Sequence, residues 1–217
     1  MFKKDKYKII KKAIDPELAD FLFYYFLLKR QSAATMFNTK FLSPFTLEWG
    51  RWDDPQVPGT YSIYGDVAFE TLLYKLLDVM QKTTGKELYC NYSYARIYKN
   101  GDVLKRHKDR FSCEISTTLF LGGEKWPIYL SKDPKDGKHT DKGYQASKTK
   151  GIKVNLNPGD MLIYRGCDLE HWRDEFKGED CAQVFLHYTD KNIKGAKENE
   201  FDGRPHLGLP SKFKKGV

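Results

Sequence analysis

Cysteine is sparse in this chain: four in 217 residues, Cys90, Cys113, Cys167 and Cys181, with no two standing as a CxxC pair. That spacing excludes a zinc ribbon and thioredoxin-type redox chemistry. It marks the four as reduced thiols of a cytoplasmic protein rather than a disulfide framework. Long apolar runs are missing too. The longest, Phe21 to Leu28, has eight residues, where a membrane-spanning helix needs about 20. No small-residue cleavage site follows the basic stretch Met1–Lys12, so a secretory signal is not expected. There is no internal repeat and no low-complexity linker, and the length suits one domain.

What the chain does contain is aromatic surface to bury. Fourteen Phe, 14 Tyr and four Trp rule out a disordered chain. The net charge is +8, from 37 Lys+Arg against 29 Asp+Glu. A basic balance invites nucleic acid as a partner, but location matters more than size. The excess lies in Lys3-Lys4, Lys11-Lys12, Lys212 to Lys215 and the segment Lys132–Lys153, as loose solubilising ends and a polar loop carry it. No Lys/Arg–aromatic stripe runs through the middle of the chain.

Asp15-Pro16-Glu17 announces a helix, an N-cap followed by proline at the first helical position, predicted over Pro16–Arg30. Residues 31–65 read as irregular, with Trp49 and Trp52 as buried anchors or a pocket rim. Leu72, Leu73, Leu76, Leu77 and Met80 at helical spacing predict a second helix from Val67 to Thr83, ending before Gly85. Beyond Gly85 the texture turns to short alternating, aromatic-rich runs: 89–98, 112–121, 126–130, 152–156, 161–164, 170–172 and 182–188. Turn signals such as Lys99-Asn100-Gly101-Asp102 and Pro158-Gly159-Asp160 separate them. Short strands behind two helices imply a mainly β fold, an antiparallel sandwich or barrel with the helices on one side.

Chemistry concentrates in Arg106-His107-Lys108-Asp109. Strand residues two apart share a face, so His107 and Asp109 project together. An imidazole and a carboxylate on one face are two of the three donors of a 2-His-1-carboxylate set, which leaves Fe(II) open positions for a bidentate cosubstrate and O2. The third donor must be a distant histidine. His171 fits, just past the turn and strand Asn157–Tyr164. His139 sits in a polar loop, His206 in the tail, and His187 reads as a core or rim residue. Arg106 and Arg110, flanking the motif, read as surface residues, and Thr117 and Thr118 as candidate pocket-lining positions.

The segments YKNGDVLKRHKD, NPGDMLIYRG and LEHWRDEF together resemble the Fe(II)/2-oxoglutarate-dependent dioxygenases. The likeness is to the prolyl-4-hydroxylase-like branch, which includes small enzymes encoded by marine bacteriophages, and it covers residues 89–190. It implies a double-stranded β-helix (jelly-roll): residues 1–85 as helical support, 86–190 as the core and 191–217 as a C-terminal arm. It further implies His107, Asp109 and His171 as iron ligands. Tyr98 stands where the family keeps a tyrosine beside 2-oxoglutarate, and a core aromatic is the alternative reading. The implied activity is hydroxylation, with release of succinate and CO2, of a prolyl residue in a peptide or protein. Ascorbate is the implied reductant in vitro, and the host-cell cytoplasm the location if the gene is viral.

The chain departs from the family at the cation that meets the distal carboxylate of 2-oxoglutarate. Asp180-Cys181-Ala182-Gln183 occupies its usual place. Because a buried carboxylate without a partner costs several kcal/mol, another cation is needed. Arg173, two residues after His171, is the first candidate; its alternative is a surface pair with Asp174 or Glu175. Lys125 is the second candidate, and Gln183 could add a hydrogen bond. A peptide substrate would be flanked by Trp49, Trp52 or Trp172. The segment 132–153 is either a flexible lid or substrate clamp, or merely a solvated insertion. Other readings are the same chemistry on a nucleic-acid base or small molecule, a non-catalytic cupin-like binding module, and a cationic nucleic-acid-binding structural protein.

Overall fold

The computed structural model describes residues 2–213; Lys214 and Lys215 of the basic end lie outside them. A short helix α1 (Phe2–Asp5) leads into strand β1 (Tyr7–Ile10). Helix α2 (Pro16–Asn38) starts as its sequence dictates: the Asp15 side chain accepts from the Glu17 backbone N–H at 2.8 Å, with Pro16 in the first turn. It runs eight residues beyond the predicted end because Ala33 and Phe37 continue the face that meets the core. Strand β2 (Tyr61–Tyr64) and helices α3 (Val67–Lys75) and α4 (Leu77–Thr84) follow. The predicted single helix is therefore two, kinked at Leu76. Phe69, Leu72 and Leu73 of one half and Met80 of the other are all buried in the same core.

The remaining strands are β3 (Leu88–Lys99), β4 (Leu104–His107), β5 (Ile115–Gly123), β6 (Ile128–Leu130), β7 (Lys138–Thr140) and β8 (Gly143–Gln145). Then come β9 (Ile152–Val154), β10 (Met161–Tyr164), β11 (His171–Arg173) and β12 (Asp180–Asp190). Six form one antiparallel sheet in the order β1-β10-β5-β12-β3-β2, and four form a second in the order β4-β11-β6-β9. Two of the six come from the N-terminal region, which therefore contributes strands as well as helices.

Alternation along the central strands divides the interior into two cores. Ile115, Leu119 and Leu121 of β5 and Ala182, Val184 and Leu186 of β12 bury against Leu22, Phe26 and Phe69 of the helices. Phe120, Cys181 and Tyr98 instead join Leu104, Ile128, Leu130 and Val154 of the smaller sheet. The helices thus cover one face of the large sheet and the small sheet covers the other. No helix among the described residues is long and apolar enough to cross a membrane. The arm after Asp190 is irregular but tied down: Arg204, fully buried, pairs with Glu70 at 2.7 Å and donates to Asn91 O at 3.1 Å.

The lysine-rich insertion is not merely solvated. It holds the β7–β8 hairpin, and its root docks on Glu170, which is fully buried next to His171. The Glu170 carboxylate accepts from Ser147 N–H at 2.9 Å, Ser147 Oγ at 2.5 Å, Tyr144 Oη at 3.1 Å and Arg106 Nη1 at 3.1 Å. Arg106 is accordingly no plain surface residue, since its guanidinium also lies 3.4 Å over the Trp172 ring. Glu170→Ala strands these donors. A stability loss of about 3 kcal/mol is expected, read as a lowered urea midpoint, together with new tryptic cleavage between residues 132 and 153.

Candidate metal centre and its cavity

Strands β4 and β11 are hydrogen-bonded neighbours, and their register sets His171 directly opposite His107. Two histidines 64 positions apart in sequence therefore stand side by side, ring centroids 4.2 Å apart. Both rings are oriented by the same device. His107 Nδ1 donates to Lys105 O at 2.8 Å and His171 Nδ1 to Leu169 O at 2.9 Å. A carbonyl only accepts, so Nδ1 carries a proton in each ring and Nε2 is the atom left to serve a metal.

Both Nε2 atoms face one oxygen of Asp109: Oδ1 lies 3.6 Å from His107 and 3.5 Å from His171. Bonds of about 2.1 Å to a shared ion put neighbouring donors about 3 Å apart, so a small closure would seat one. The three residues form a group able to hold a metal ion. Burial alone would push the Asp109 carboxyl up, but the His171 and His107 imidazoles hold it well below the usual carboxylate range.

The other oxygen of Asp109 is anchored behind the donors. Ser116 Oγ donates to Oδ2 at 2.8 Å, and its oxygen lies 3.1 Å from His187 Nδ1. His187 is buried, and desolvation lowers its pKa to about 4, so it stands neutral as an interior residue orienting Ser116. Asp109, Cys113 and His187 form a second donor group that shares the carboxylate. Burial pushes the Cys113 thiol well up, away from the thiolate that metals bind.

Gly166 closes this side. Its backbone carbonyl accepts from Asp109 N–H at 2.9 Å, and a Cβ there would collide with Asp109 Oδ2 and reach 2.7 Å from Ser116 Oγ. Gly166→Ala is expected to weaken Ni(II) binding by roughly 10–100-fold, the usual effect of disturbing a ligand's support. Calorimetric titration of the folded variant checks this, and unchanged affinity would free Asp109 from that constraint.

Beside the donors opens a cavity of about 350 Å³. His107, Asp109 and His171 line it, with Tyr98, Leu104, Ile128 and Tyr164 toward the interior and Tyr92, Tyr94 and Phe185 among the outer residues. Arg173 is 1% exposed. Its Nη1 donates to Trp126 O and its Nη2 to Thr118 Oγ1 at 3.2 Å, which in turn donates to Gln183 Oε1 at 2.9 Å. Its Nε has no partner, and no carboxylate pairs with it among the described residues. Burial accordingly lowers its pKa. Such a cation lacks an anion.

Of the predicted site residues, the structure brings together His107, Asp109, His171 and Tyr98 at the cavity; Arg173 and Gln183, joined through Thr118, are buried nearby without lining it. Tyr98 is fully buried, edge-on to Trp126 at 4.8 Å. Lys125 is not brought in: it is exposed on the loop between β5 and β6 and does not line the cavity. Thr117 lies on the opposite face from Thr118 and accepts from Leu186 N–H. Arg110 reaches the cavity mouth, 4.9 Å over the Tyr92 ring, while paired with Asp202 at 3.2 Å. None of the three tryptophans expected at the rim is there. Trp52 packs on Tyr61, Trp49 on the helical core, and Trp172 lies between Tyr129 and Arg106. The aromatic walls come instead from Tyr92, Tyr94, Tyr164 and Phe185, and the loop residues Asp54 and Gln56 were also missed. The alternation Tyr92-Tyr94-Arg96-Tyr98 was the available signal for the first two.

No family model and no curated protein matches the sequence. Solved structures do match. A Pseudomonas putida prolyl-4-hydroxylase aligns over 88% of this chain and 96% of its own, with 11% identity and a TM-score of 0.55. HygX from Streptomyces hygroscopicus, solved with nickel and 2-oxoglutarate bound, aligns over 89% and 86%, with 16% identity and a TM-score of 0.56. The non-heme α-ketoglutarate-dependent epimerase SnoN of nogalamycin biosynthesis aligns over 96% and 89%, with 13% identity and a TM-score of 0.61. Over nearly its whole length, the chain has the fold of these proteins.

Proposed function

We propose that the chain is an Fe(II)- and 2-oxoglutarate-dependent oxygenase that hydroxylates a prolyl residue of a peptide or protein. The observation that carries the reading is the unpaired, buried Arg173 beside His171. A metal-donor set alone would suit a binding module, but a buried cation without an anion, two residues along β11 from His171 though not itself lining the cavity, calls for an anionic cosubstrate. When bound, Fe(II) and 2-oxoglutarate supply, with O2, oxidative decarboxylation to succinate and CO2 and the hydroxylation of an unactivated C–H bond.

The chain's own tasks are holding and excluding. His107, Asp109 and His171 would hold the ion at the edge of the cavity. Arg173 meets the distal carboxylate with a guanidinium fork, steadied by Thr118 and Gln183. Tyr98, Ile128, Leu104 and Tyr164 keep water from the inner cavity, and the double-stranded β-helix gives these residues rigid strands to stand on. No general base is asked of the protein. The flat walls of Tyr92, Tyr94 and Phe185 suit a proline ring, and one structural relative is a prolyl-4-hydroxylase.

The test is succinate formation from 2-oxoglutarate under air, with Fe(II) and ascorbate, against proline-rich peptides, single-stranded oligonucleotides and small-molecule glycosides. Stimulation by a peptide is expected. Stimulation only by an oligonucleotide or glycoside keeps the chemistry and replaces the substrate class. Absence of both turnover and metal-dependent 2-oxoglutarate binding refutes the oxygenase.

A further inference from the structure

The loop before β2 sends one side chain over the metal donors. Gln56 Nε2 lies 3.2 Å from His107 Nε2, the nitrogen that faces Asp109. The orientation of its amide is decided by its other end. Gln56 Oε1 lies 3.2 Å from both Nη1 and Nη2 of Arg96. A guanidinium only donates, so the atom facing it is the amide oxygen and the atom facing His107 is the NH2 group.

Gln56 is held there by more than this pair. Asp54 Oδ1 accepts from the Gln56 backbone N–H at 2.8 Å, and Asp54 Oδ2 accepts from Arg96 Nη2 at 2.6 Å and from Tyr94 Oη. Val57, the next residue, is buried in the core between the sheets. Arg96 itself is 1% exposed, on the cavity-facing side of β3. The loop thus delivers a donor, polarised by a buried cation, to the edge of the donor cluster.

We infer that Gln56 is a binding residue for the cosubstrate, donating a hydrogen bond to an oxygen of the 2-oxo acid beside the metal. A metal ion on His107 takes the lone pair that Gln56 now contacts. The amide, fixed by Arg96 and the Asp54 turn, then needs a different acceptor in the same place. A metal-chelating 2-oxo acid brings oxygen acceptors to that side of the cluster. This assignment rests on the oxygenase reading above.

Gln56→Glu separates binding from bracing. The glutamate still accepts from Arg96, and more strongly, so a purely structural role is preserved or improved. Its second oxygen, however, turns a donor into a negative acceptor facing the cosubstrate. Gln56→Leu removes the donor without adding charge. Both variants and the unaltered chain are loaded with Ni(II) and titrated with 2-oxoglutarate, alongside separate Ni(II) titrations and thermal melts. Expected are a tenfold or larger rise in the 2-oxoglutarate Kd for Gln56→Glu and about fivefold for Gln56→Leu, with Ni(II) affinity and the Gln56→Glu melting temperature not reduced. A 2-oxoglutarate Kd within twofold of the unaltered chain in both variants overturns the assignment, as does a rise that only tracks a lost fold. If the unaltered Ni(II)-loaded chain binds no 2-oxoglutarate, the cosubstrate reading fails first and takes Gln56 with it.

Discussion

Asp109→Ala is expected to abolish 2-oxoglutarate turnover and to lower Ni(II) or Fe(II) affinity by more than about a hundredfold, beyond the usual cost of disturbing a ligand's support. The reason is geometric. Asp109 Oδ1 is the anionic atom that both Nε2 atoms face, at 3.6 and 3.5 Å. Without it two neutral imidazoles remain, which lack the charge that would favour a divalent ion. The fold should survive, because the carboxylate's partner behind the site is the Ser116 hydroxyl, and the Asp109 backbone N–H keeps its bond to the Gly166 carbonyl in the variant. Circular dichroism and melting therefore accompany the metal titration. A folded variant that turns over 2-oxoglutarate would remove Asp109 from the metal set.

Arg173→Ala should act on the cosubstrate alone. A charge-assisted hydrogen bond contributes about 1.5–3 kcal/mol, so losing the guanidinium raises the 2-oxoglutarate requirement by roughly 10–150-fold. Metal affinity in the absence of 2-oxoglutarate should stay near that of the unaltered chain. Stability offers a second readout. Because the guanidinium is buried without an anion, its removal costs less folding free energy than the loss of a paired arginine would, and 2-oxoglutarate should protect the unaltered chain from heat far more than the variant. Arg173→Lys keeps the charge but not the fork, and falls between the two. An unchanged requirement in Arg173→Ala would return the search to another cation.

The residues around the metal donors were legible because their chemistry is local. His107 and Asp109 need only strand alternation to share a face, and Arg173 needs only its place two residues after His171. Pairing was not legible. That β4 and β11 lie side by side depends on the whole chain between them, and nothing in either short stretch encodes the partner. Strands β1 and β2 went unrecognised for a related reason, since each is four residues long and lies at a sheet edge beside helical sequence. Leu76 continues the apolar spacing of the second helix, yet the helix breaks there, with both halves burying in one core. Gln56 and Asp54 lie in a segment with no periodicity. Their placement follows from Arg96, a residue that in sequence looks like one more polar break in an aromatic strand.

The docked insertion divides its residues into two kinds. Tyr144, Ser147 and Thr149 hold Glu170 and Arg106 next to the metal donors, whereas Lys138 to Gly143, at the far end of the hairpin, are exposed. Changes at the root are therefore coupled to the position of His171, and changes at the tip are not. The tip is accordingly a place where this scaffold can accept foreign sequence, such as an affinity tag, a charge reversal or a loop from a relative, without disturbing the residues that hold the ion.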